Sequence, residues 1–260
     1  MPELPDVETF RRFVDETSLH RRLVDVTVFN RRVLNGLSPQ RLKRALQGRS
    51  FRSTARHGKH LFVEVDGSRW LALHFGMTGY LDFGRQRRTG PYDRVVFVFA
   101  HEYSLAFVCA RLLGRITLAQ SVEEFIGDKR LGPDAMDVCG EEFASCVRRS
   151  RATIKSILMD QSQVAGIGNL YSDEILFQSR IHPAFPGHRL TAEQAACLYR
   201  NTRKVLRMAI GRKADPWAMP PSYLLPHRER EGRCPRCKAA LTRETVAGRT
   251  AYWCPRCQRK

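Results

Sequence analysis

Four cysteines near the end of the chain have the spacing of a metal site. Cys234 and Cys237 form one CxxC pair, and Cys254 and Cys257 form a second pair after sixteen intervening residues. Each CxxC turn can direct two thiolates at one metal, and a hairpin of this length can bring the pairs together. Four thiolates fill a tetrahedral shell, so the sequence predicts one structural Zn²⁺. Two disulfides or redox-active CxxC motifs are the alternatives.

A second group of reactive residues lies at the other end of the chain. Met1 is followed by Pro2 and Glu3, and a small second residue permits removal of the initiator methionine. The exposed proline amine would have a pKa of about 7.7–8.0, so part of it would be neutral and nucleophilic near pH 7. The adjacent carboxylate could then donate or accept a proton. The alternative is a frayed N-terminus that takes part in no reaction.

A glycine pair precedes a segment with helical spacing. Gly166 and Gly168 stand just before Asn169, which begins the helix expected over 169–179. Exposed amides at a helix start can hold a phosphate, and the Asn169 side chain would add a donor. Simple turn formation is the alternative explanation for the two glycines.

Composition narrows the class of partner. The chain has 260 residues with 44 Lys+Arg and 26 Asp+Glu, a formal net charge of +18. This charge on a body with 43% apolar residues favours a folded protein that binds a polyanion, with nucleic acid ahead of an acidic membrane surface. The sequence contains no membrane-spanning run and no signal peptide, which predicts a cytoplasmic protein. The remaining cysteines are expected to be buried free thiols: Cys109, Cys139, Cys146 and Cys197.

The apolar periodicity divides the chain into a strand-rich first half and a helical second half. Period-two alternation predicts strands within 23–29, 61–65, 70–75, 95–99 and 105–108. Helical spacing predicts helices at 5–16, from Pro39 onward, and at 141–150, 152–160, 169–179 and 191–212. Glycines and Pro133 between 120 and 140 suit a connection, and the prolines within 213–228 predict a loop.

Taken together, these motifs resemble the formamidopyrimidine-DNA glycosylase and endonuclease VIII family. The matching segments follow in order along nearly the whole chain: PELPDVET, GKHL (58–61), LHFGMTGYL (73–81), LGPDAM (131–136), IKSILMDQSQVAGIGNLYSDEILF (154–177) and the cysteine hairpin. The resemblance implies an α+β fold. We expect an N-terminal antiparallel β-sandwich with flanking helices (1–125), a linker (126–140), a helical helix–two-turn–helix DNA-binding domain (141–226) and a zinc finger (227–260).

The resemblance also implies a reaction and its residues. In the family, the N-terminal proline attacks C1′ of a flipped-out damaged nucleotide, and β,δ-elimination follows from a Schiff base. Carried over, this makes Pro2, Glu3 and Lys59 catalytic. The implied DNA-binding residues are Met77, Arg111, Leu113, Lys155, Asn169 and Arg249. Glu174 also matches a family position, with its role open.

This chain departs from the family pattern in two places that bear on which damaged base it removes. The family's purine-specific members carry Arg-Arg-Phe-Gly where this chain reads Arg111-Leu112-Leu113-Gly114. Leu113 is apolar enough to insert between bases but cannot stack as widely as phenylalanine. The loop over 213–226 is also expected to be shorter than the loop that caps 8-oxoguanine in the purine-specific enzymes. Both changes place a preference for 8-oxoguanine in doubt and make oxidised pyrimidines or a wider lesion range credible.

The resulting prediction is a bifunctional DNA glycosylase and AP lyase of base-excision repair. It would act as a monomer on duplex DNA that contains damaged bases or abasic sites. One alternative is a family member that binds damaged DNA without cutting it. The other is a zinc-ribbon protein that binds RNA or the ribosome, which would leave the N-terminal motif unexplained.

Overall fold

The computed structural model describes residues 1–67 and 69–259. Contacts within the chain define two compact units. The first unit contains Met1–Pro2 and Asp6–Lys129, and the second contains Glu3–Pro5 and Arg130–Lys260. The three-residue segment Glu3–Pro5 therefore packs with the second half of the chain.

Two four-stranded antiparallel sheets form the first unit. One has the order β1 (Leu23–Val28), β6 (Asp93–Phe99), β7 (Tyr103–Val108), β5 (Tyr80–Arg85); the other has the order β2 (Phe51–His57), β3 (His60–Val65), β4 (Arg69–His74), β8 (Arg115–Ala119). Alternate residues of β3, Leu61 and Val63, are buried in the same core as Val95 and Phe97 of β6. Because the two sheets share this core, the unit is a β-sandwich, and the predicted fold class is confirmed.

Helices of the first unit begin where the sequence provides caps and apolar faces. In α1 (Leu4–Thr17), Val7 and Val14 are buried on one face. Helix α2 (Pro39–Leu46) begins after Ser38, whose Oγ accepts the Arg41 N–H at 3.2 Å. The sequence predicted both of these helices.

The second unit is helical, with a terminal hairpin. Its helices are α4 (Gly140–Arg148), α5 (Ile154–Met159), α6 (Asn169–Ser179) and α7 (Ala192–Gly211), and its strands are β9 (Thr242–Val246) and β10 (Arg249–Trp253). The start of α7 carries a capping box between Thr191 and Gln194. Phe143, Ile175 and Leu198 are fully buried and join α4, α6 and α7 in one core.

Some elements were not predicted. Strands β2, β5 and β8 lack a clear alternation, since at least half of the residues in each strand are half-buried. Helix α3 (Val122–Asp128) overlaps the segment expected to be a connection, because it buries only Phe125 and so gives little periodicity. Cys139 is exposed rather than buried, while Cys109 and Cys146 are buried as expected. Within 1–67 and 69–259, no helix has the length and apolarity needed to cross a membrane.

Candidate functional site

Several predicted site residues lie at one edge of the sheet formed by β2, β3, β4 and β8. Gly58 and Lys59 make the two-residue turn between β2 and β3, with Gly58 at a φ of 55°. His60, the first residue of β3, pairs with His74 at the end of β4, and His74 pairs with Arg115 at the start of β8. The Lys59 turn, the segment after β4 and the segment before β8 therefore meet at the same edge.

The segments after β4 and before β8 carry the three residues expected to fill the DNA stack. Gly76 has a φ of +62°, and a Cβ there would lie 2.6 Å from the carbonyl carbon of Leu113. The two loops are thus in direct backbone contact. Met77 is 41% exposed, Leu113 is 43% exposed and Arg111 is exposed. Two large apolar side chains on adjacent exposed loops suit insertion into an apolar or stacked ligand.

Two histidines at this edge were missed by sequence reasoning. The ring centroids of His60 and His74 lie 5.0 Å apart. Burial lowers the pKa of His60 to about 3 and that of His74 to about 4, and nearby positive charges, including Lys59, add to the effect. Both rings are therefore neutral near pH 7. Their positions inside the GKHL and LHFGMTGYL motifs were the available signal.

In the second unit, the start of α6 holds the Glu3 carboxylate. Oε2 accepts the N–H of Gly168 at 2.7 Å and that of Tyr171 at 3.3 Å, and Oε1 accepts the N–H of Leu170 at 2.8 Å. Glu3 is only 2% exposed. The N–H groups that a helix start leaves unpaired, together with its partial positive charge, fix this carboxylate.

The two glycines before α6 make room for the N-terminal segment. A Cβ on Gly168 would lie 2.4 Å from Cδ of Glu3, and a Cβ on Gly166 would lie 2.5 Å from Cδ1 of Leu4. At the helix start that the sequence offered for a phosphate, the amides of Gly168 and Leu170 instead donate to a carboxylate of the chain itself. Glycine is required here for close approach as well as for the turn.

Asn169 is the first residue of α6 and is half-buried. Its Oδ1 is buried and has no hydrogen-bond partner within the part of the chain that the structure describes. A native side chain rarely leaves a buried polar atom unsatisfied. An amide oxygen only accepts hydrogen bonds, so this atom can take a donor from a ligand, whereas the predicted phosphate contact requires the Asn169 Nδ2 donor.

Lys155 does not lie where a DNA-contacting lysine should. It is fully buried on α5, and its Nζ donates to Asp173 Oδ1 at 2.6 Å, to Ser172 Oγ at 3.0 Å and to the Asn169 carbonyl oxygen at 3.4 Å. An ammonium enclosed in this way cannot reach a phosphate. The prediction that Lys155 contacts DNA directly is therefore wrong, and the side chain contacts α6 instead. Burial lowers the pKa of Lys155, and the Asp173 carboxylate opposes that shift.

Asp173 connects α6 with the cysteine hairpin. Its Oδ2 accepts the backbone N–H of Tyr252 on β10 at 3.1 Å and the Arg228 Nε–H at 2.9 Å. Arg228 also lies 4.7 Å from the centre of the Tyr252 ring. One fully buried carboxylate therefore holds α5, α6 and β10 together, and neither Asp173 nor Arg228 was singled out from the sequence.

The four cysteines form a metal site. Their Sγ atoms all lie within 4.8 Å of one another, with Cys234 and Cys257 separated by 3.8 Å and Cys237 and Cys254 by 3.4 Å. Tetrahedral Zn–S bonds of about 2.3 Å place sulfurs about 3.8 Å apart, whereas a disulfide requires about 2.05 Å. The residues fit one structural Zn²⁺ and exclude the two disulfides. The predicted cofactor is confirmed.

Arg249 lies at the tip of the zinc-bound hairpin. Ala247 and Gly248 connect β9 to β10 with φ values of 49° and 74°, which suits a tight two-residue turn. Arg249, the first residue of β10, is exposed and pairs in the ladder with Val246. The hairpin thus presents this guanidinium to solvent at the end remote from Cys254.

Known proteins match this chain along its whole length. Family models match the formamidopyrimidine-DNA glycosylase N-terminal domain at residues 1–116, its H2TH (helix–two-turn–helix) domain at 131–218, and the zinc finger found in these enzymes and in IleRS at 232–259. The formamidopyrimidine-DNA glycosylase of Solibacter usitatus is 33% identical over 100% of both chains. The chain belongs to the formamidopyrimidine-DNA glycosylase family.

Further members of the family agree in sequence and structure. The glycosylase of Moorella thermoacetica is 34% identical over 99% of this chain and 92% of its own. The Lactococcus lactis enzyme, solved non-covalently bound to DNA with an AP site, superposes with a TM-score of 0.91 at 26% identity over 99% of this chain and 100% of that chain. The predicted family is therefore confirmed.

Glu174 has a structural environment that the sequence did not reveal. It is fully buried on α6, accepts the Gln178 Nε2–H at 2.7 Å on Oε1 and accepts the Leu225 N–H at 2.8 Å on Oε2. Burial raises its pKa to about 7, although these hydrogen bonds oppose the shift. Glu174 thus anchors the end of the proline-rich loop to α6.

Proposed function

We propose that this protein is a bifunctional DNA glycosylase and AP lyase that removes oxidised bases from duplex DNA in base-excision repair. The observation that carries the proposal is the anchoring of Glu3 by three backbone amides of α6. A chain terminus usually frays, whereas here the residue after Pro2 is held in one orientation. Membership of the glycosylase family and the structures of similar enzymes on damaged DNA support the same activity.

The reaction requires a free Pro2 amine. While Met1 is attached, the Pro2 nitrogen belongs to an amide and is not nucleophilic, so removal of Met1 is the activating step. The freed amine attacks C1′ of the damaged nucleotide, the bond from C1′ to the base breaks, and the base leaves with a proton. The C1′–O4′ bond then breaks, with protonation of O4′, and leaves an iminium at C1′. This iminium makes the C2′ hydrogen acidic, so loss of that proton expels the 3′-phosphate by β-elimination, and δ-elimination then expels the 5′-phosphate.

Glu3 and Lys59 assist this chemistry from opposite parts of the sequence. The fixed Glu3 carboxylate exchanges a proton with the sugar as its ring opens. Lys59, on its tight turn, supplies a cation for the phosphate beside the sugar, and the neutral rings of His60 and His74 do not add further charge there. The surroundings of Glu3 fix its orientation, whereas Lys59 is only 7% exposed, so its role is carried over from the family resemblance.

Each unit carries side chains that we expect to bind DNA. Met77, Arg111 and Leu113 enter the space vacated by the flipped nucleotide, because two loops in contact expose the apolar side chains of Met77 and Leu113, with Arg111 exposed beside Leu113. Asn169 and Arg249 bind backbone phosphates, one from the start of α6 and one from the tip of the zinc hairpin. With leucine at position 113, we expect oxidised pyrimidines or a wider range of lesions to be among the substrates. We also expect the enzyme to act as a monomer in the cytoplasm, where its DNA substrate lies.

Borohydride trapping on a duplex with one abasic site tests the proposal. Protein lacking Met1 should form a covalent adduct, and peptide mass spectrometry should locate the reduced sugar on Pro2. Pro2→Gly should lose most of this adduct, while Arg88→Ala, which removes an exposed charge elsewhere in the first unit, should retain it. Absence of any adduct would favour a protein that binds damaged DNA without cutting it.

A lesion panel tests the substrate range. Excision rates on duplexes with 8-oxoguanine, formamidopyrimidine, thymine glycol and dihydrouracil should show pyrimidine lesions among the good substrates. Leu113→Phe should shift the ratio toward purine lesions, because a wider wedge then fills the stack. An unchanged ratio would exclude residue 113 as the source of the preference.

A further inference from the structure

A basic cavity lies in the second unit and, apart from the zinc ligand Cys257, contains no residue of the proposed site. It has a volume of about 540 Å³, and its polar lining comes from four arginines and two neutral side chains: Arg180, Arg236, Arg256, Arg259, Ser179 and Gln194. No aspartate or glutamate lines it within residues 1–67 and 69–259. A concave surface with four guanidinium groups and no carboxylate is suited to an anion.

This cavity is called the arginine pocket below. Within the described residues, its arginines form no ion pairs with carboxylates. Among the residues that the structure describes, no carboxylate lies within ion-pair distance of Arg180, Arg256 or Arg259. Arg236 is held in place without a carboxylate, since it donates to the Phe177 carbonyl oxygen at 2.8 Å and to Gln178 Oε1 at 2.7 Å. Its guanidinium lies 4.2 Å from the centre of the Phe177 ring. Such preorganisation lowers the cost of binding an anion.

The zinc site does not account for this charge. Four thiolates and one Zn²⁺ carry a formal charge of −2, and Cys257 alone of the four cysteines lines the pocket. Four arginines carry +4, so a surplus of +2 remains after the whole metal centre is neutralised. This surplus lies in a cavity, where a bound anion can meet several guanidinium groups at once.

The arginine pocket is remote from the proposed phosphate-binding residues of the same unit. Asn169 begins α6 and Arg180 follows its end, and eleven residues of helix span about 16 Å. Arg249 begins β10 while Arg256 follows its end, a separation of similar length along the hairpin. Both elements therefore place the pocket at the opposite end from the residues expected to hold DNA beside the lesion.

We propose that the arginine pocket is a second anion site, which binds phosphate groups of a polyphosphate or of a DNA backbone. Planar guanidinium groups pair with phosphate oxygens through two parallel N–H···O bonds, and Ser179 and Gln194 add neutral donors. A distance of about 16 Å corresponds to about five nucleotides at 3.4 Å per nucleotide of one strand. Backbone phosphates distant from the lesion, or a free polyphosphate, are the two sources of the same chemistry.

Titration calorimetry of the zinc-loaded full chain with inorganic tripolyphosphate at 150 mM salt tests the site without DNA. Arg256→Ala/Arg259→Ala should weaken binding at least about tenfold, since several charge-assisted hydrogen bonds are lost. The matched control is Arg31→Ala/Arg32→Ala, which removes the same charge from exposed positions of the first unit outside the pocket. An equal loss in both variants, or no binding by the unmodified protein, would overturn the proposal.

Anisotropy with abasic duplexes of 12 and 30 base pairs then identifies the source of the phosphate. If the pocket holds backbone phosphates, the longer duplex binds more tightly and the pocket variant removes that advantage. If the advantage is unchanged in the variant while tripolyphosphate binding is lost, the ligand is a free polyphosphate. The pocket variant and its control should give the same amount of Pro2 adduct on the short duplex. A loss of anion binding can therefore be distinguished from a loss of the proposed glycosylase activity.

Discussion

Asp173 provides a quantitative test of how the second unit holds its parts together. The residue is fully buried, and its carboxylate faces the equally buried ammonium of Lys155 at 2.6 Å. Asp173→Asn keeps the shape but leaves that ammonium without a counter-charge. Breaking a buried pair in this way costs about 3–5 kcal/mol, a large fraction of the about 5–15 kcal/mol that stabilises a typical domain.

The reverse substitution should cost less. Lys155→Met removes the ammonium, but Asp173 keeps the Arg228 Nε–H and the Tyr252 N–H as donors. The Ser172 hydroxyl and the Asn169 carbonyl oxygen also lose Lys155, but they remain hydrogen-bonded to each other at 3.1 Å. The expected loss is therefore mainly that of the charge-assisted hydrogen bond to Asp173, about 1.5–3 kcal/mol. The double variant should be more stable than Asp173→Asn alone, because it contains no unpaired ammonium. This order of stabilities follows from which charge is left without a partner.

Native-state hydrogen exchange of peptides from α6 and β10 measures these losses where they arise. A cost of about 3–5 kcal/mol accelerates exchange between about one hundredfold and a few thousandfold. Asp66→Asn, which removes a half-buried carboxylate paired with Arg52 in the first unit, is the matched control and should leave both peptides unchanged. If Asp173→Asn exchanged no faster than Lys155→Met, or if the two effects were additive, the reasoning would be refuted.

Four further outcomes are expected. Arg249→Ala should weaken binding to damaged and undamaged duplexes alike and reduce the log–log salt slope by about 0.9, measured by anisotropy between 50 and 200 mM salt; a loss confined to one lesion would contradict a phosphate contact. Gly168→Ala should lower the excision rate by about a hundredfold because its Cβ displaces Glu3, whereas Gly211→Ala, whose Cβ meets no atom within 4 Å, should match the unmodified protein. Because the pKa of Glu174 is raised from 4.5 to about 7 in the fold, its contribution to stability is present below pH 4.5 and is lost as the pH rises through 7, by up to about 3 kcal/mol; Glu174→Gln should remove this slope in urea denaturation at pH 5 and 8. Zinc chelation should unfold the hairpin and abolish the effect of Arg249→Ala, so a persistent effect in the apo-protein would show that the metal does not position the tip.

Some helix boundaries and the zinc ligands could be predicted from the sequence, because they depend on local chemistry. The spacing of the cysteines defined the zinc site, because two CxxC turns have few other uses in one hairpin. Ser38 and Thr191 marked helix starts, since their hydroxyl groups cap the following amides. The helix predicted over 169–179 agrees with α6 at both ends. Each of these features depends on residues that are neighbours along the chain.

The sequence by itself determined the family, the fold class, the metal ligands and the N-terminal residues that could react. Only the tertiary structure decided what Lys155 and the two glycines before α6 do. Lys155 resembles a DNA-binding lysine in the sequence, but its partner Asp173 lies eighteen residues away and buries it. The glycines lie close to Glu3 and Leu4, which are more than 160 positions away along the chain. Burial and close approach between distant residues leave no local pattern, so the sequence could not reveal them.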